Sequence, residues 1–178
     1  LWGPKARWRD MLALGAPRSL TFLGIALGAA ATIASLRVFG GDDADTSIAA
    51  YGVLTRVMSF AYFPLLGTSL ALQAMVGNNH GAGLWARSNE SLRLGLVLSL
   101  CYAVILEVVL VAFSGQVGRL FVADPEVVAS LGRIMPPYIA LYFTFGPAMM
   151  IASYLQSIGD ARRSAILALS RTYFFAIP

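Results

Sequence analysis

Two side chains stand where chemistry is costly. Glu107 is the one acidic residue in the apolar run 94–118, and Arg56 opens a run without charge that continues to Asn79. An ionisable group in such a run is expensive to bury, so each is a functional candidate by default. At about 1.5 Å per helical residue, Glu107 lies about 20 Å beyond Arg93 and Arg56 about 12 Å from Ile48. Antiparallel helices would bring them to similar depth. Three readings follow for Glu107: a buried pair with Arg56, a cavity-facing carboxylate, or a group that exchanges protons during coupled transport. Gln73, Tyr142 and Thr144 carry polar tips inside apolar segments and are candidates for contact with a bound molecule; a hydrogen bond across helices is the other role open to Gln73. A single His (His80) and a single Cys (Cys101) leave no set for a structural zinc and no intrachain disulfide. Paired carboxylates and nucleophile–base spacings are missing as well, so neither an enzyme nor a cofactor is expected.

The elements that hold these residues follow from composition. The 178 residues are 58% hydrophobic and 12% charged, with mean hydropathy +0.72. Soluble domains average about a quarter charged. The deficit lies in the segments 19–36, 57–79, 94–118 and 134–159, each long enough to cross about 30 Å of hydrocarbon. The reading is all-α: a polytopic transmembrane bundle of about five spans, at about 12–38, 47–77, 91–113, 127–157 and 163–178, the last truncated. A start at Leu1 and an end at Pro178 inside an apolar run read as a piece of a longer protein.

The net charge of +4 follows topology rather than a nucleic-acid patch. Lys5, Arg7, Arg9 and Arg18 precede the first span, Arg87 and Arg93 flank the second loop, and Arg162 and Arg163 the fourth. The other loops carry Asp42, Asp43, Asp45, Asp124 and Glu126. The positive-inside rule then places the N-terminal side in the cytoplasm of a multi-pass cell (inner) membrane protein, with lipid as its surroundings. Trp2 and Trp8 suit the headgroup layer, and Gly24, Gly28 and Ala29–Ala31 suit close helix approach. Thr46 or Ser47 is expected to cap the second span, and Asp124 a helix that begins at Pro125. Pro64, Gly67 and Pro147 are candidate hinges, since an internal proline removes a backbone donor and kinks its helix. "GNNHGAG" (77–83) supplies a tight turn through Gly77, Asn78, Gly81 and Ala82, with Asn78 and Asn79 able to cap carbonyls or take positive φ.

"IAAYGVLTRV" (48–57), then Pro64, Gly67, "GNNHGAG" and Arg87, resembles a lobe helix of the multidrug and toxic compound extrusion (MATE) transporters. "GAPRSL" before the first span is similar to the start of that family's seventh helix, "GGDDADTSIAAYG" to its eighth, and "SIGDARRS" to the loop after its tenth. The resemblance implies a twelve-helix antiporter with two six-helix lobes around a cavity. It would export cationic or amphipathic organic compounds in exchange for H⁺ or Na⁺. This chain would be an incomplete C-terminal lobe whose partner is the missing N-terminal lobe of the same polypeptide. Several MATE proteins couple through acidic residues on the seventh and tenth helices. Here the first span has no carboxylate after Asp10 and the fourth has none, so coupling through this lobe departs from that pattern.

Met58, Phe60, Tyr62 and Phe63, with Tyr138, Tyr142, Phe143, Phe145, Met149 and Met150, suit either a wall for hydrophobic cations or ordinary helix packing. A lipid-linked oligosaccharide flippase of the wider superfamily is the alternative, and such a protein would hold pyrophosphate with several cavity cations. Arg56 and Arg171 are the intramembrane cations here. A membrane-embedded enzyme or channel is the further alternative.

Overall fold

The computed structural model describes residues 4–170, and every regular element among them is helical. The order is α1 (Pro4–Phe39), a 3₁₀ turn (Gly41–Asp43), α2 (Ala44–Gly81), α3 (Trp85–Ala112), α4 (Ser114–Phe121), α5 (Pro125–Ile139), α6 (Tyr142–Ser157) and α7 (Ala161–Ser170). Three stretches are long and apolar enough to span a membrane: Ser19–Phe39, Gly41–Gly81 and Trp85–Ala112. The pair α5 and α6, bent by 47°, makes a fourth if counted as one span. Of the fifth expected span, 163–178, the described residues include only the start, within the ten-residue α7. Trp2, the Trp8 side chain and residues 171–178, including Arg171, lie outside the described part.

The core forms where α2, α3, α5 and α6 meet. On α2 the buried residues Ala50, Leu54, Val57, Ala61, Leu65, Ser69, Leu72 and Val76 recur every three or four positions, one face of a helix. α3 answers with small residues on one stripe: Ser88, Ser91, Gly95, Ser99 and Ala103. Their size lets α6 come close, because packing rather than hydrophobicity drives helix association in lipid. A methyl group at Gly146 of α6 would stand 2.8 Å from the Ser99 carbonyl oxygen. α3 and α6 therefore approach each other closely at this point. On α1, Gly24 is buried but Ala30 and Ala31 are exposed, as are Phe22, Leu23, Ile25 and Leu27.

Two helix starts differ in how they are capped. Asp124 accepts the Glu126 amide at 2.9 Å with Pro125 in the first turn, as expected. Thr46 and Ser47 instead lie inside α2, which starts at Ala44 without a side-chain cap. The 3₁₀ turn runs directly into α2 and its own carbonyls take the first amides, Asp43 N–H on Gly40 and Ala44 N–H on Gly41. The loop expected after α3 also contains a helix, α4, whose Gly118 packs on Val128 and Leu131 of α5.

The turn after α2 is a Schellman motif, which closes a helix with one residue at positive φ. Leu84 N–H donates to Asn79 O at 2.8 Å and Gly83 N–H to His80 O at 3.0 Å, with Gly83 at φ +73°. The turn after α6 repeats it: Asp160 N–H to Leu155 O at 2.9 Å, Gly159 N–H to Gln156 O at 3.2 Å, and Gly159 at φ +86°. Gly77, Asn78 and Gly81 are helical instead, and among the described residues no non-glycine takes positive φ. Turn formation thus rests on Gly83, with Ala82 as the last αR-like residue before it.

Candidate functional site

The site is built where α2, α3 and α6 cross. Pro64 has no N–H, so the Phe60 carbonyl loses its helical donor, and the ring crowds the turn before it. The adjacent carbonyl, that of Ala61, accepts two hydroxyls from two other helices. Tyr102 of α3 donates to it at 3.0 Å and Tyr142 of α6 at 3.1 Å. A carbonyl oxygen has two lone pairs and can hold both. Tyr142 also stacks on Phe145, with ring centroids 5.6 Å apart, and Tyr62 meets Phe145 edge-on at 6.1 Å. One carbonyl of α2 thereby joins tyrosines of two other helices.

The second feature is the break in the fourth span. It falls at Ala140–Leu141, not at Pro147, and α6 runs continuously through Pro147. Pro136 and Pro137 lie inside α5 just before the break; neither can donate to the preceding turn, and α5 ends at Ile139. A new helix start leaves its first amides without intrahelical acceptors. Glu107 of α3 meets that need, since its Oε2 accepts the Phe143 amide at 2.9 Å. Thr144 closes the same turn, donating both its amide (3.0 Å) and its Oγ1 (2.7 Å) to Leu141 O. An open pocket of about 400 Å³ lies against Glu107, lined by Val104, Val108, Val111, Ala112 and Phe143.

Gln73 forms the third feature. Ser69 of α2 and Ser153 of α6 share a buried hydrogen bond of 2.6 Å, and the Gln73 Nε2 donates to them at 3.5 and 3.4 Å. It ties helices together. Farther along, Tyr154 Oη donates to Asn89 Oδ1 at 2.7 Å, joining α6 to α3.

The remaining candidates separate. Arg56 is exposed and forms no ion pair with Glu107; among the described residues the ion pair is Arg163–Asp160, at 3.4 Å. Gly67 is exposed, with nothing within 4 Å of where its Cβ would be, and α2 continues through it. Phe60 and Phe63 are exposed, whereas Met149 and Met150 are buried core. Sequence reasoning missed Tyr102, Ser69, Ser153 and the Phe143 amide. No freed carbonyl marked the first, since Pro64 frees the Phe60 carbonyl and Tyr102 donates to Ala61 O.

A family model, MatE, matches residues 19–178. The chain belongs to the MatE family. Its relatives include the probable multidrug resistance protein YoeA of Bacillus subtilis (strain 168), 23% identical over 94% of this chain and 35% of that protein. The probable multidrug resistance protein NorM of Geobacillus kaustophilus is 30% identical over 81% of this chain and 30% of its own length. A FAD transporter of Shewanella oneidensis is 25% identical over 98% and 38% respectively. The MatE chain thus spans roughly a third of the length of these relatives. No solved structure gives a significant match.

Proposed function

We propose that this chain is part of a lobe of a secondary antiporter that exports cationic or amphipathic organic compounds, such as drugs, toxins or metabolites. Export would proceed by alternating access in exchange for H⁺ or Na⁺, across a cell membrane with the N-terminal side of this chain in the cytoplasm. The observation that carries the reading is the MatE match over nearly the whole chain, with relatives named for multidrug resistance. The bundle supports it in two ways: a proline-bearing α2 tied to two neighbours, and a span broken at Ala140–Leu141. A missing N-terminal lobe would supply the other wall of the cavity, and Tyr142, Thr144 and Gln73 contribute through helix positioning. Because one relative is named a FAD transporter, the substrate panel must include a flavin dinucleotide beside organic cations.

The test uses the full-length protein in inverted vesicles, with a proton or a sodium gradient imposed separately. Ethidium accumulation driven by one gradient is the expected result and names the coupling ion. Flavin-dinucleotide uptake without ethidium uptake would move the substrate class, and no uptake of either under both gradients would overturn the antiporter reading in favour of a lipid flippase.

A further inference from the structure

We propose that the pocket between the end of α2 and the start of α3 is a headgroup site for a phospholipid with a primary amine, such as phosphatidylethanolamine. Arg87 takes its phosphate and Glu90 its ammonium. The pocket, of about 190 Å³, is lined by Met75 and Asn79 of α2 and by Arg87, Glu90, Ser91 and Leu94 of α3. Both helices are long and apolar enough to span a membrane, so the turn that joins them stands at one membrane surface. Polarity along the pocket changes with depth as it does along a lipid. Asn79, Arg87 and Glu90 lie toward the turn. Met75 is one helical turn beyond Asn79 and Leu94 one turn beyond Glu90, each about 6 Å deeper at about 1.5 Å per residue. The headgroup layer of a leaflet is about 5–8 Å thick, which matches that step. Met75 and Leu94 are about half exposed, at the depth where acyl chains begin. Drug-sized ligands take pockets of about 300–1,000 Å³. This one is small for an exported compound and fits a headgroup whose tails stay in the bilayer.

The charges select the headgroup. Arg87 and Glu90 are i,i+3 neighbours on one face of α3, a spacing at which opposite charges can pair. No ion pair joins them, and both side chains are exposed and without a partner among the described residues. Ser91 is already committed, its Oγ donating to Arg87 O at 2.8 Å. The pocket thus offers a guanidinium and a carboxylate side by side, with the Asn79 amide on the facing helix. A guanidinium holds phosphate through two parallel N–H···O bonds, and a carboxylate accepts N–H bonds from a primary ammonium. A head with phosphate and ammonium two carbons apart serves both. Phosphatidylcholine has no ammonium N–H to donate. Phosphatidylglycerol sets an uncompensated anion beside Glu90, where like charges repel.

The proposal rests on the membrane spans and not on antiport, so its failure and that of gradient-driven accumulation are read separately. The full-length protein, stripped of lipid in detergent, is titrated with phosphatidylethanolamine, phosphatidylcholine or phosphatidylglycerol of the same acyl chains. Bound lipids are counted by native mass spectrometry. The parent should bind the first phosphatidylethanolamine about tenfold or more tighter than either other lipid, the scale of one hydrogen bond to a charged group. Glu90→Gln should bring the three lipids level. Arg87→Ala should weaken phosphatidylethanolamine by about tenfold or more. Arg119→Ala, at an exposed arginine beyond the other end of α3, should leave the preference as in the parent. Neither Arg87 nor Glu90 belongs to the buried stripe of α3, so these variants keep the helix packing. Equal binding of the three lipids by the parent overturns the proposal, and is also what results if another part of the full-length chain covers the pocket. An undiminished preference in Glu90→Gln, or the same weakening from Arg119→Ala as from Arg87→Ala, overturns it as well.

Discussion

α2 and the fourth span both carry internal prolines, yet α2 is one helix of 38 residues and the fourth span is two helices bent by 47°. The prolines alone do not explain the difference. At Pro64 the disturbed turn keeps its course, and the carbonyl beside it is claimed by Tyr102 and Tyr142. At Pro136–Pro137 two donors are lost in succession and the helix ends, so the next one needs its amides capped, which Glu107 and Leu141 O do. One proline leaves acceptors to satisfy; a pair leaves a helix to restart. In lipid either solution needs a partner from another helix.

The largest effect that separates the regions is steric. Gly146→Ala places a methyl group 2.8 Å from the Ser99 carbonyl oxygen, and it should destabilise the bundle by about 1–3 kcal/mol, as overpacking does. Gly67→Ala on α2 meets nothing within 4 Å and should instead stabilise by about 0.5–1 kcal/mol. Reversible unfolding in mixed micelles reads both, and equal costs would break the comparison. Next come the tyrosines. Tyr102→Phe and Tyr142→Phe should each cost about 1 kcal/mol, since the other hydroxyl still serves Ala61 O, and the double variant should cost more than their sum. Strict additivity would mean the carbonyl does not couple them. The smallest contrast lies in two threonines. Thr144→Val removes the Oγ1 bond to Leu141 O at the break and should cost about 0.5–1 kcal/mol. Thr68→Val, whose Oγ1 donates back to Pro64 O on the exposed side of α2, should change stability by less than about 0.5 kcal/mol.

Much of this was legible in the residues. The apolar runs gave the helices, Asp124-Pro125 gave its cap, and the motif from Ile48 to Arg87 pointed to the family that the comparison confirms. What escaped reading depends on pairing between helices. Glu107 and Arg56 were matched by depth, but depth does not say which face of a helix turns toward a neighbour. Glu107 is half-buried against α6, while Arg56 is exposed. The break was assigned to Pro147 because it lies mid-span. α6 instead runs continuously through Pro147, and the break follows Pro136 and Pro137. Likewise Gly83, not the asparagines, forms the turn, because positive φ is free of steric cost only for glycine.

The central structural claim is that α3, through Glu107, starts α6, whereas α2 needs no such restart. Site-resolved hydrogen exchange on the full-length protein in nanodiscs tests it most directly. Glu107→Ala should speed exchange of the Phe143 amide by about tenfold or more, as expected for losing a bond to a charged group, and leave the amides of Leu65 to Thr68 unchanged. An unchanged Phe143 amide would mean that it is held by Ile139 in a continuous helix, and the account of the broken span would be wrong.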